Sequence, residues 1–197
     1  MARFILSAFA DEIDPRFELQ LASLNTLGIE YIELRGVDGR SFVTLSDREL
    51  DDIRRRMGIH GIKVWSLGSP LGKVRIDDAE SQYALLDRLM EIGDKLGTRN
   101  IRMFSFYPVD GEPFEEYEKK VFFHINALTE KASGCGFVLC HENEKAYTAV
   151  RRSGSKSSSI RPAAGSESRS ITAISSIAAC PRRALSIYLK NTSNIIT

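Results

Sequence analysis

The chain has 197 residues, of which 43% are hydrophobic and 27% charged, and its formal net charge is +1. This is the composition of a globular protein, and no stretch approaches the roughly 20 apolar residues that cross a bilayer. The N-terminus lacks a secretory signal, and Cys135, Cys140 and Cys180 have neither metal-type spacing nor the even number of a disulfide scaffold. We therefore expect a cytoplasmic protein without a membrane partner.

Residues 1–147 repeat one unit, in which an amphipathic helix is followed by glycine and then by a short apolar strand. The first helix is predicted to begin at Asp14 and Pro15, an N-cap followed by proline. The second begins at a capping box formed by Ser46 and Glu49. The helices are predicted to end at Gly28, at Gly58 or Gly61, at Gly97, and at Gly134 or Gly136. The strands are predicted at residues 4–6, 29–34, 62–67, 101–104 and 137–142.

Strands that alternate with helices indicate an α/β fold with a parallel sheet. An open doubly wound sheet would have a glycine-rich loop after its first strand, but Ala8–Glu12 contains no glycine. A (β/α)₈ barrel needs no such loop and carries its chemistry just past the C-terminal ends of the strands. Because a full barrel needs roughly 250 residues, we expect a partial (β/α)₈ TIM barrel of about five strands, followed by an irregular tail.

Polar side chains follow the predicted strands, and carboxylates are frequent among them. The densest group, residues 141–144, contains Glu142 and Glu144. A carboxylate at this position can hold a divalent cation or act as a general base. Glu33 is either a substrate contact or a strand-end charge paired with Arg35. Ser69 is either a turn residue or a ligand contact.

Four segments resemble the sugar phosphate isomerase/epimerase family, which has a xylose-isomerase-like TIM barrel. They are Phe9–Ile13, Gly28–Arg35, Ser66–Pro70 and His141–Lys145. The resemblance extends from about Ala2 to Lys145 and then ends. It implies that the protein is an isomerase acting on a small sugar or sugar phosphate. Proton transfer next to a carbonyl group would pass through an enediolate.

The resemblance also implies a divalent metal ion, Mn²⁺, Mg²⁺, Zn²⁺ or Co²⁺, held by residues after strands 5 to 8. Only the strand-5 ligand can be assigned here, to Glu142, which is then both a catalytic residue and a metal ligand. Glu33, Arg35, Ser69 and Glu144 are the candidate substrate-binding residues. We do not expect this chain to retain the metal, because residues 148–197 contain no aspartate or histidine to replace the missing ligands.

The chain resembles the endonucleases of the same superfamily less than it resembles the isomerases. Nucleic acid is therefore not an expected partner of residues 1–147. No histidine follows the third or fourth predicted strand, where those enzymes have zinc ligands. Residues 1–147 also carry 25 acidic and 19 basic side chains, a net negative charge that repels phosphate backbones.

Residues 148–197 form a different kind of sequence, with one acidic side chain, 8 basic side chains and 12 serines. One explanation is a frameshift near codon 146 of the gene. If one G is restored before the codons of Ala146–Ala149, they can encode Gly-Ile-Tyr-Gly, which the family often has at this place. A genuine, disordered basic tail is the other. The corresponding functions are an impaired or inactive fragment, or nucleic-acid binding through the tail. Exposed sheet edges would also allow self-association.

Overall fold

The computed structural model describes residues 4–142 and 188–191. Its strands are β1 (Phe4–Ala8), β2 (Tyr31–Leu34), β3 (Gly36–Val37), β4 (Arg40–Ser41), β5 (Lys63–Leu71), β6 (Asn100–Met103), β7 (Val138–His141) and β8 (Tyr188–Asn191). Its α-helices are α1 (Phe17–Thr26), α2 (Asp47–His60), α3 (Ser81–Leu96) and α4 (Phe114–Gly134). Within these described residues, no helix is both long and apolar enough to cross a membrane.

The main sheet has the strand order β7-β6-β5-β2-β1-β8. Strands β1, β2, β5, β6 and β7 are parallel to one another, and each is connected to the next by one of the four helices. This confirms the predicted α/β fold, a half-barrel of five parallel strands. The small antiparallel hairpin of β3 and β4, which follows β2, was not predicted.

Strand β8 lies outside the predicted barrel region and pairs antiparallel with β1, from Phe4 opposite Asn191 to Ser7 opposite Tyr188. One of the sheet edges that were expected to be exposed, the edge of β1, is therefore paired. The other predictions for the tail, and the candidate residue Glu144, fall outside the described residues.

The core lies between the helices and the outer face of the parallel sheet. The register aligns Leu34, Leu67, Ile101 and Leu139 across four neighbouring strands, and all four side chains are buried. Side chains alternate between the two faces of a strand. Glu33, Ser66, Arg102 and Cys140 therefore share the inner face of the half-barrel.

The ends of the helices agree with the sequence patterns in one case and differ in another. Ser46 and Glu49 form the predicted capping box of α2, which ends at Gly61 with a φ of 67°. Helix α1 begins at Phe17 rather than at the predicted N-cap Asp14. The backbone N–H of Phe17 donates to Asp38 on the β3–β4 turn at 2.8 Å. The predicted N-cap Asp14 accepts the N–H of Arg16 at 2.8 Å. Asp38, which is distant in the sequence, therefore adds to the cap rather than replacing it.

Gly72 allows β5 and β6 to approach each other closely. Its φ is 83°, and a Cβ atom at this position would lie 2.1 Å from the carbonyl oxygen of Phe104. The N–H of Phe104 in turn donates to the carbonyl of Leu71 at 2.8 Å. A side chain at position 72 would therefore push apart the strand ends that carry the site described next.

Candidate active site

The C-terminal ends of the five parallel strands meet at one end of the half-barrel, where a TIM barrel carries its chemistry. Glu33 comes from β2, Arg102 from β6 and Glu142 from the residue after β7. Ser7 of β1 lies beside Glu33. We refer to these four residues as the mouth cluster.

Glu33 is only 4% exposed, so its carboxyl group depends on partners within the protein. Burial raises the pKa of Glu33 to about 7, and the negative charge of Glu142 acts in the same direction. A hydrogen bond of 2.8 Å from the Ser7 hydroxyl and the positive charge of Arg102 both oppose this rise in pKa. The carboxyl group therefore exchanges its proton near neutral pH, as a general acid–base group requires.

Arg102 provides the positive charge of the mouth cluster, and its side chain is 11% exposed. Its Nη2 donates to the carbonyl of Gly68 at 3.0 Å and its Nε donates to the carbonyl of Ser69 at 3.3 Å. The guanidinium carbon lies 5.1 Å from the ring centre of Phe9 and 4.9 Å from that of Phe104. Carbonyl oxygens and aromatic faces thus hold the guanidinium in place.

Glu142 faces Arg102, with 3.2 Å between Oε2 of the carboxylate and Nη1 of the guanidinium. The N–H of Glu142 donates to the carbonyl of Met103 at 2.9 Å, which continues the pairing of β6 with β7. Oε2 is buried and accepts no hydrogen bond from the described residues, so its contact with Arg102 is an ion pair without hydrogen-bond geometry. A buried oxygen without a donor is available to a further partner.

His141 precedes Glu142 in the sequence but contacts Ser105 instead of Arg102. Its Nε2 and the hydroxyl of Ser105 are hydrogen bonded at 2.5 Å. Burial lowers the pKa of His141, which favours the neutral imidazole. Ser105 is fully buried, so this pair connects the ends of β6 and β7.

Arg35 also lies against Phe9, with its guanidinium carbon 4.9 Å from the ring centre. It donates to Asp11 at 2.8 Å and to Glu12 at 3.2 Å. Arg35 therefore has its own carboxylate partners, and the alternative that it pairs with Glu33 is wrong. Gly68 permits this stacking, because a Cβ atom there would lie 2.8 Å from the Phe9 ring.

An open cavity of about 290 Å³ adjoins Arg35 at the same end of the sheet. Its lining residues are Asp11, Pro15, Arg35, Gly36, Gly39, Arg40 and Ser41. Its volume is close to the lower limit for small-molecule sites. Arg35 is thus positioned to contact a small ligand, which stays a prediction.

Ser69 is fully buried. Its hydroxyl donates to the carbonyl of Arg102 at 2.5 Å and accepts the N–H of Leu71 at 3.2 Å. In this structure Ser69 supports the strand that carries Arg102, and its substrate contact stays a prediction.

Neither Arg102 nor Ser7 was predicted from the sequence to be a site residue. Arg102 interrupts the apolar run from Ile101 to Phe104, and a charged residue inside a buried strand needs a partner or a function. This signal was available from the sequence. The role of Ser7 could not be predicted from the sequence, because the fold brings its hydroxyl next to the Glu33 carboxyl group.

The mouth cluster does not by itself fit a divalent metal ion. Within residues 4–142 and 188–191, no three His, Cys, Asp or Glu side chains lie close enough together to hold one. The free oxygen of Glu142 is a suitable ligand, but the guanidinium of Arg102 already faces it. The mouth cluster therefore supplies one carboxylate oxygen without a hydrogen-bond donor, together with a positive charge that competes with a metal ion.

A family model described as xylose isomerase-like TIM barrel matches residues 21–161. Among solved structures, the chain is similar to a xylose isomerase-like TIM barrel protein from Mycobacterium smegmatis in complex with magnesium. The identity is 16% and the TM-score 0.53, with 66% of this chain and 47% of that chain covered. No curated protein matches the sequence significantly.

Two further structures share the fold. The probable 3-DHS dehydratase AsbF from Bacillus anthracis is 14% identical at a TM-score of 0.54, with 66% of this chain and 48% of that chain covered. The IOLI protein with a binding zinc atom is 23% identical at a TM-score of 0.50, with 64% and 45% covered. The chain thus spans less than half the length of each of these three structures.

The family match begins within α1, includes every parallel strand from β2 to β7, and continues past Lys145, where the resemblance was expected to end. It covers more than half of the chain. The parallel half-barrel agrees with this family match. The chain belongs to the xylose isomerase-like TIM barrel family.

Proposed function

We propose that this chain derives from a sugar or sugar phosphate isomerase or epimerase that moves a proton next to a carbonyl group through an enediolate. The observation that carries the proposal is the presence of two carboxyl groups, Glu33 and Glu142, around one buried arginine at the mouth of the half-barrel. Their surroundings differ, since Glu33 is almost fully buried and Glu142 is partly exposed and ion-paired. Carboxyl groups in unlike surroundings can take separate acid and base roles.

In this proposal Glu142 removes the proton next to the substrate carbonyl. Glu33, whose pKa near 7 allows it to carry a proton at neutral pH, supplies or accepts a proton at a neighbouring oxygen. Arg35 binds the substrate from the adjoining cavity. Ser69 and Glu144 keep their proposed substrate-binding roles, although Glu144 lies outside the described residues.

We further propose that the complete barrel depends on a divalent metal and that this chain is truncated and catalytically impaired. The chain covers less than half of the three solved structures. Within the described part of the chain, Glu142 is the one residue that the family resemblance assigns as a metal ligand. An inactive fragment of such an enzyme is the second candidate, favoured by the ion pair between Arg102 and Glu142.

Deuterium exchange tests the proposal. The full chain is incubated in D₂O with ketoses and ketose phosphates, with and without Mn²⁺, and loss of the proton next to the carbonyl is followed by NMR. We expect slow exchange that falls about a hundredfold or more in Glu142→Gln, since general acid–base groups contribute at least this factor. Glu118→Gln, on the exposed surface of α4, is the control.

Each outcome distinguishes the candidates. Exchange that requires Glu142 but not Glu118 supports the isomerase proposal. Saturable sugar binding without exchange supports the inactive fragment. Exchange that is equal in wild type and Glu142→Gln, or no binding of any sugar, contradicts both.

A further inference from the structure

Each nitrogen of the Arg102 guanidinium lies within 3.3 Å of an oxygen atom of the protein. Its Nε faces the carbonyl of Ser69, Nη2 faces the carbonyl of Gly68, and Nη1 faces Glu142. Each guanidinium nitrogen therefore has a partner, and the flat faces of the group lie near two aromatic rings. Its place in the fold is that of a fixed internal cation.

The groups that Arg102 occupies are oxygen atoms of the kind that bind hard divalent cations. They are one carboxylate oxygen and two backbone carbonyl oxygens, with the Glu33 carboxyl group on the same inner face. Mg²⁺, Mn²⁺ and Ca²⁺ prefer carboxylate and carbonyl oxygens. The same atoms can therefore surround either the guanidinium or a metal ion, but not both, because two adjacent buried positive charges repel each other.

We infer that Arg102 is the resident cation of the mouth cluster and competes with a divalent metal ion for the Glu142 carboxylate. In this chain the guanidinium holds Glu142 in position, and metal binding is suppressed as long as Arg102 stays paired. Arg102 is thus a positioning residue. The inference concerns the same site as the proposed function, but its test measures metal binding rather than turnover, so either can fail without the other.

The experiment is a titration of the full chain with Mn²⁺, followed by the loss of the free-ion EPR signal. The variants are Arg102→Met and the double variant Arg102→Met/Glu142→Gln. We expect wild type to bind Mn²⁺ weakly. Arg102→Met should bind it about tenfold more tightly or better, a typical size for coupling between competing sites, and the double variant should lose this gain. Arg54→Met, on the exposed face of α2, is the matched control and should behave as wild type.

Two further measurements keep the inference testable if Arg102→Met does not fold. Arg102→Gln keeps an amide donor for the Ser69 and Gly68 carbonyls while removing the charge, and should show the same gain in Mn²⁺ affinity. In wild type, millimolar Mn²⁺ should leave the melting temperature unchanged, because a ligand stabilises only the state that it binds.

The inference is overturned if Mn²⁺ raises the melting temperature of the wild type and Glu142→Gln abolishes this increase. It is equally overturned if a folded Arg102 variant shows no gain in affinity, or if the gain persists in the double variant.

Discussion

The most informative single residue is Glu33, because its carboxyl group ties the stability of the fold to pH. The folded chain holds this proton with a pKa of about 7, against an ordinary value of 4.5. As pH rises between these values, the unfolded chain loses the proton first, and unfolding becomes more favourable. The contribution of Glu33 to stability is therefore full below about pH 4.5 and is lost as pH rises through 7.

We predict that Glu33→Gln gains stability relative to wild type as pH is raised from about 5 to 8. At about 1.4 kcal/mol per pKa unit, the relative gain is roughly 3 kcal/mol. Urea unfolding at a series of pH values measures it, with Glu30→Gln, an exposed carboxylate just before β2, as the control. A constant difference between Glu33→Gln and wild type across this range would show that Glu33 is not buried as described.

At the scale of elements, the capping box of α2 is the clearest link from sequence to local stability. The Ser46 hydroxyl accepts the N–H of Glu49 at 3.4 Å, and the Glu49 carboxylate accepts the N–H of Ser46 at 2.8 Å. We predict that Ser46→Ala lowers the free energy of unfolding by about 1 kcal/mol. Ser46→Thr, which keeps a capping hydroxyl, should lose much less. Equal losses in the two variants, measured by urea unfolding, would argue against the cap.

A second prediction compares two glycines with similar backbone angles. Gly28 has a φ of 67° and open space where a Cβ atom would lie, whereas Gly72 has a φ of 83° and the Phe104 carbonyl 2.1 Å from that position. Gly28→Ala should cost about 1–2 kcal/mol from backbone strain alone. Gly72→Ala should cost a further ~1–3 kcal/mol, because the backbone must move. Chemical unfolding of both variants tests this, and equal costs would refute the close approach of β5 and β6.

The elements were predictable because their signals are local. The strand around Ile32 and the helix after Ser46 are each marked by apolar periodicity and by nearby caps or glycines. The contribution of Asp38 to the cap of α1 was not predictable, because Asp38 reaches Phe17 only after the β3–β4 hairpin has formed.

The same distinction applies to the candidate site. Glu33 and Glu142 were found because they lie at the C-terminal ends of strands, which must meet at one edge of a parallel sheet. The partners of Arg102 come from β5, from the loop after β1 and from the end of β7. Sequence patterns do not specify which side chains fill the inside of a barrel, so this arrangement required the structure.

For the whole molecule, we expect the inner face of the half-barrel to determine whether the chain self-associates in solution. Val138 lies on this face and is 41% exposed, and Tyr31 and Trp65 meet edge to face at 5.6 Å. In a complete barrel the inside is filled by side chains from all eight strands. We predict that the purified chain self-associates in a concentration-dependent manner, because association removes this apolar surface from water.

Sedimentation velocity over a range of concentrations measures this association. Val138→Lys should weaken the association. Phe123 lies on α4, away from the inner face, and is 65% exposed, so Phe123→Lys should leave the association unchanged. A monomer at every concentration with one cooperative thermal transition would contradict the prediction.

The antiparallel strand β8 has a consequence for assembly. In a closed TIM barrel every strand, including the first, has a parallel neighbour on both sides. Here the hydrogen-bonding edge of β1 is already occupied by a strand that runs the opposite way. Any complementary half-barrel, whether from a second copy or from a longer relative, must first displace residues 188–191 before the ring can close. Residues 188–191 therefore block the edge of β1 at which a second half-barrel would pair.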